Sequence, residues 1–92
     1  MTEIIDTPSE LCRTLLQCIA DTLIVVDPQD PMDEATRLTE AHRYAALWHH
    51  ADTSAAPATE REVLAHAPAV RPGSTRDEYA AQLRLAARGV TA

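Results

Sequence analysis

Apolar residues crowd the first quarter of the chain so densely that only a narrow polar stripe interrupts them. Glu10, Thr14, Gln17 and Asp21 recur at helical spacing, and Leu11, Cys12, Leu15, Leu16, Ile19, Leu23 and Val26 cover the remaining surface. This pattern predicts a helix over about 8–26 that is buried on most sides. Its tail, Thr22-Leu23-Ile24-Val25-Val26, is β-branched and also fits a short strand, but no second strand is available to pair with it, so the helical reading is kept. A second helix, over about 31–51, sets Leu38, Ala41, Ala45 and Trp48 on one face and Asp33, Thr36, Glu40 and Arg43 on the other. Asp33 to Arg37 and Glu40 to Arg43 form its exposed charge pairs. The short Asp27-Pro28-Gln29 connection predicts that these two helices form an antiparallel hairpin.

Helix-start chemistry divides the chain further. Thr7-Pro8-Ser9-Glu10 and Asp30-Pro31-Met32-Asp33 offer a capping side chain followed by proline, and Thr59-Glu60-Arg61-Glu62 and Thr75-Arg76-Asp77-Glu78 have the spacing of capping boxes. A short third helix is expected over about 60–67. A fourth runs to Arg88, with Gly89 as the residue that ends it. Turn-rich segments at 52–58 and 68–74 separate them. The expected architecture is one all-α domain of three to four helices over 1–92: a hairpin core (1–52), then shorter helices (53–92) joined by proline-rich linkers.

Large apolar side chains thin out after Met32, so the first helix carries more greasy surface than the later chain is expected to hide. A second copy or a partner is therefore expected to cover it, the alternative being that helices 2, 3 and 4 wrap around it within one chain. Tyr44 and Trp48, four residues apart, are two of three aromatics in the chain; they read either as a core anchor between helices 1 and 2 or as a partner hot spot. Leu85 falls out of register with the inner face Tyr79, Leu83 and Ala86 of the fourth helix. The candidate partner-binding residues are Leu15, Ile19, Asp33, Glu40, Tyr44, Trp48 and Leu85, with an acidic rim of Glu3, Asp6, Asp21, Asp30, Asp33 and Glu40 setting orientation and on-rate.

Charge and chemistry narrow the function classes. The net charge of −6 opposes nucleic acid and anionic membranes, whose nonspecific affinity comes mainly from basic side chains. All 8 basic residues are arginines, and the absence of lysine, asparagine and phenylalanine points to a G+C-rich genome rather than to a function. Residues 1–60 set three arginines against eleven acids, whereas 61–92 set five against three. Cys12 and Cys18, six residues apart on one helix, face different ways and read as reduced thiols. No apolar run approaches the length of a membrane span and no leader precedes one, so a cytoplasmic location is expected. His42, His49, His50 and His66 give no pair at the four-residue spacing that closes on an ion. Glu62 and His66 have that spacing but read as a surface pair, and no metal or cofactor is expected. No nucleophile elbow, phosphate-cradling loop or activated cysteine is present, so no catalytic residue is assigned.

Thr59-Glu60-Arg61-Glu62-Val63-Leu64-Ala65, followed by Gly73-Ser74-Thr75-Arg76-Asp77-Glu78-Tyr79-Ala80-Ala81-Gln82-Leu83, resembles the first two helices of a response-regulator type helix-turn-helix. In that family a third helix enters the major groove, whereas only nine residues follow Leu83 here. The resemblance implies, as the alternative function, a DNA-binding regulator with a degenerate helix-turn-helix over 59–88 that uses Arg76, Arg84 and Arg88. The leading expectation is a small acidic cytosolic protein-interaction or regulatory module, non-enzymatic and homodimeric. A phage- or host-encoded inhibitor of a larger bacterial protein is one such form.

Overall fold

A computed structural model describes residues 7–50, 52 and 54–89. Four helices follow one another: α1 (Glu10–Val25), α2 (Glu34–Trp48), α3 (Ala56–His66) and α4 (Arg76–Ala87). The all-α architecture is the one expected from periodicity, and Thr22–Val25 is helical.

Local chemistry explains each boundary. At the start of α1, Ser9 is the cap and its hydroxyl accepts from the Cys12 amide at 3.1 Å, so Pro8 precedes the helix instead of opening it. The α2 cap is Asp33, which accepts from the Thr36 amide at 2.8 Å, three residues later than the Asp30-Pro31 signal suggests. Tertiary pairing takes up the intervening residues. Met32 N–H donates to the Ser74 carbonyl, and the Arg76 and Asp77 amides at the start of α4 donate to the Asp30 and Pro28 carbonyls, each at 2.9 Å. The α1–α2 connection thus satisfies amides of α4 that have no partner within their own helix. Thr75 and Glu78 complete α4's start with the expected capping box, and Gly89 ends it at φ +78°, a conformation glycine adopts without steric penalty.

The Thr59 capping box is not used. α3 starts at Ala56 with Pro57 in its first turn, so Thr59 and Glu62 lie inside the helix and bond elsewhere: Thr59 to His49, Glu62 to Ser9. Pro57 fits because a first-turn amide has no helical partner to lose.

Packing places α1 against α4 and α2 against α3. Both pairs are antiparallel: Asp21 meets Arg84 while Pro28 meets Asp77, and Arg37 reaches Leu64 and Ala67 while His49 meets Thr59. The expected α1–α2 hairpin contact is present but lighter, because the connection is fixed to the start of α4 and Ala80 and Ala87 let α4 approach α1 closely. The core gathers Cys12, Leu15, Leu16, Ile19 and Leu23 of α1 with Met32, Ala41, Val63, Tyr79 and Leu83. Glu10, Thr14, Gln17 and Asp21 are exposed, as their spacing predicts. The body of α1 is therefore enclosed by its own chain, contrary to the expectation that something else must cover it.

Burial sets the ionisation of two core groups. It is the main cause that pushes the Cys12 thiol from 9.0 up to about 12 and the Tyr79 phenol from 10.0 up to about 12. Both protons stay bound in the folded state after the unfolded chain has released them. These two groups are thus expected to leave stability unchanged well below pH 9.0 and to lower it as pH rises from there toward about 12. Urea midpoints measured across that range should decline, and less so in Tyr79→Phe; a flat profile would contradict this burial.

Asp27 follows the α1 cap with φ +51°, in the left-handed region where a Cβ is disfavoured. Asp27→Gly is expected to raise the melting temperature, since glycine adopts this conformation without the Cβ clash.

Candidate interaction surface

α1 ends in three β-branched residues, and the left-handed turn at Asp27 carries the chain away before another element covers them. Val25 and Val26 are 77% and 50% exposed. Beside them stands Tyr44 of α2, half-buried, with its hydroxyl hydrogen-bonded to the Thr22 hydroxyl and the Arg43 guanidinium 5.8 Å from its ring centroid. Thr22 in turn donates to the Cys18 carbonyl at 3.0 Å, so Tyr44 is held against the last turns of α1.

Tyr44 lines one of two shallow, mainly apolar grooves and its neighbour Arg43 lines the other. One, of about 470 Å³, is lined by Cys18, Asp21, Thr22, Val25, Val26 and Tyr44. The other, of about 490 Å³, is lined by His42, Arg43, Ala46, Leu47 and His50. One turn beyond Tyr44, Leu47 and Trp48 are 60% and 52% exposed. Helical spacing of three and four residues makes Tyr44, Leu47 and Trp48 neighbours, so Val25, Val26, Tyr44, Leu47 and Trp48 form one strip across the two helices.

The predicted partner-binding residues divide between this strip and other places. Tyr44 and Trp48 belong to it. Leu15 and Ile19 do not, since at 2% and 3% exposure they are core residues, and their expected place on a contact face is corrected. Leu85 is half-buried on α4 and lines neither groove. Asp33 is the α2 cap, and the hydrogen bond from Thr36 holds its carboxyl below the usual range. Glu40 is buried rather than exposed, with one oxygen 3.6 Å from Arg43. Helix 2 is thus turned from its expected register: Ala41 and Ala45 face inward as predicted, but Glu40 joins them while Leu38 and Trp48 reach solvent. Nor does the acidic rim gather around the strip. Asp21 borders one groove and is paired with Arg84 at 2.7 Å, Asp30 lies in the α1–α2 connection, and Glu3 and Asp6 fall outside the described residues.

Other constellations disperse. His42 bonds Glu60 at 2.9 Å and His49 bonds Thr59 at 2.8 Å. Among the described residues no group of three histidines, cysteines or acids is placed to hold a metal ion. The predicted Glu62–His66 surface pair gives way to Glu62 accepting from both the Ser9 amide and hydroxyl, at 2.9 and 2.8 Å. α3 lies on α2 and α4 lies on α1, whereas the two helices of a helix-turn-helix pack on each other, and Arg84 is engaged with Asp21. Among the described residues no helix is long and apolar enough to cross a membrane.

The α2 groove was not legible in the sequence, because it depends on the rotation of α2 that exposes Leu47. The separation of Leu47 from the Ala41–Ala45 face was the available signal. No protein-family model, curated protein or solved structure matches this chain.

Proposed function

We propose that this protein is a small, non-catalytic interaction module that binds a protein partner through the strip Val25, Val26, Tyr44, Leu47 and Trp48. The observation that carries this reading is the exposure of four large apolar side chains, at 77, 50, 60 and 52%, around a half-buried tyrosine; among the described residues, the other exposed large apolar side chains are Ile24 and Leu38, at 39 and 44%. Contiguous apolar surface of this kind, with an aromatic anchor, is typical of recognition sites. The two free cysteines suit a reducing compartment, which supports a cytosolic setting. Small size and net charge of −6 suit a regulatory subunit or an inhibitor of a larger bacterial protein, phage- or host-encoded. The rim beside α2 is formed by Arg43, His42 and His50, so the acidic steering expected from the sequence is reassigned to the Asp21 side.

Trp48 is the only tryptophan in the chain and lies in the strip, so its fluorescence reports directly on occupancy. Partners captured from the native lysate by the wild-type chain should be lost with Trp48→Ser and should shift wild-type Trp48 emission to the blue. A partner that binds both chains equally, without moving that emission, would overturn the reading.

A further inference from the structure

We infer that α3 is a hinged lid: it pivots at Ala67 and Pro68 and lifts at its N-terminal end as one unit, uncovering the Cys12 thiol while α1, α2 and α4 stay packed. The device is separate from the exposed strip and does not rest on the reading of that strip as an interface.

The two ends of α3 are held differently. Its C-terminal end is pinned, since Arg37 donates to the Leu64 and Ala67 carbonyls at 2.8 and 3.2 Å and Tyr79 donates to the Pro68 carbonyl at 2.5 Å. The N-terminal end starts at Ala55 without a side-chain cap and is fastened by single side chains: Thr59 to His49, Glu60 to His42 and Glu62 to Ser9. The His42 and Ser9 contacts are exposed, so water competes for the same groups and closing them gains little.

Apolar burial adds little to these latches. Val63 is the one buried residue of α3, against six in α1 and four in α4. Helical spacing shows what faces it. Arg37 and His49 of α2 both reach α3, so Ala41 and Ala45, at the four-residue steps between them, face it too. On α3 the matching stripe is Thr59, Val63 and Ala67. This seam is made of small side chains, and parting it exposes far less apolar surface than withdrawing Tyr79 and Leu83 of α4 from the core.

The rest of the fold has its own ties. The Met32 amide is bonded to Ser74, and the Arg76 and Asp77 amides to Asp30 and Pro28, which joins the α1–α2 connection to the start of α4. Tyr44 holds α2 on α1 through Thr22. Beneath the lid lies Cys12, fully buried, with its Sγ 3.8 Å from the Glu62 carbonyl oxygen. A thiol covered in this way reacts when α3 lifts, so Cys12 reports the open state directly.

The test is alkylation of the native full chain by iodoacetamide, in a Cys18→Ser background that leaves Cys12 as the single thiol. The rate should hardly change in low urea, whereas a rate set by global unfolding rises steeply with denaturant. His42→Ala and Thr59→Val each remove a latch that does not touch Cys12, and each should speed modification about fivefold. Leu83→Ala, which weakens the core contributed by α4, should lower the melting temperature and leave the native rate unchanged. A wild-type rate that climbs with urea like global unfolding, latch variants that react like wild type, or a Leu83→Ala rate raised in proportion to its lost stability would each show that α3 opens only with the whole fold. Any of these would overturn the inference, as would a Cys12 that stays unmodified up to the unfolding transition.

Discussion

Replacing Tyr79 with alanine is expected to cost about 3–5 kcal/mol and to bring the protein close to unfolding at 25 °C. A chain of this size has roughly 5–10 kcal/mol of stability in all, so the single substitution removes a large share of it. Tyr79 is the largest fully buried side chain, on the α4 face that packs against α1, the most extensive helix contact in the fold. Its hydroxyl donates to the Pro68 carbonyl at 2.5 Å, so the same side chain fixes the α3–α4 connection. Tyr79→Phe keeps the ring and removes that bond, and is expected to cost about 1 kcal/mol. Thermal melts by circular dichroism should show a drop of about 4–8 °C for the phenylalanine variant and several times that for alanine. Near-equal melting temperatures for wild type and Tyr79→Ala would mean that α4 does not seat on α1 as described.

Removing the Arg37 guanidinium should have the next largest effect, about 2–3 kcal/mol for Arg37→Met. Arg37 looks, in sequence, like an exposed partner of Asp33. In the fold its Nη2 donates to the Leu64 carbonyl at 2.8 Å and the Ala67 carbonyl at 3.2 Å, while Nη1 donates to Glu34 at 2.8 Å. The last carbonyls of a helix have no partner within it, and they sit at the negative end of its dipole, so a cation supplied by α2 closes the end of α3. α3 depends on this link because Val63 is its only fully buried residue. Hydrogen exchange should therefore quicken first in α3, before α1 and α4, and Arg37→Lys should restore only part of the protection, since an ammonium lacks the planar fork. Uniform acceleration across all four helices would show instead that α3 does not open on its own.

Features set by local physics are legible in the sequence. The Thr75–Glu78 capping box and the Gly89 stop involve residues within a few positions of one another, so their chemistry is complete in the linear chain. The exposed stripe Glu10, Thr14, Gln17 and Asp21 was legible because helical periodicity fixes it wherever the helix packs. Thr59 and Glu62 misled because a capping pattern shows only that two side chains are able to cap. His49 and Ser9 offered them other partners across helix contacts that the sequence does not display. The candidate site was half legible: Tyr44 and Trp48 stood out as rare aromatics, whereas Val25 and Leu47 looked like ordinary helix positions.

By itself, then, the order of residues determined an all-α fold of three to four helices, how α4 starts and stops, and which stripe of α1 meets water, because each of these follows from spacing along one helix. Tertiary structure alone decided that α4 rather than α2 covers most of α1, and that α2 turns to bury Glu40 and expose Trp48. It also decided that Leu15 and Ile19 belong to the core while Val25 and Leu47 flank the open grooves. The physical reason is that the rotation and pairing of helices depend on contacts between residues far apart in the chain, such as Pro28 with Asp77 and Arg37 with Ala67, which hydrophobic periodicity within one segment does not encode.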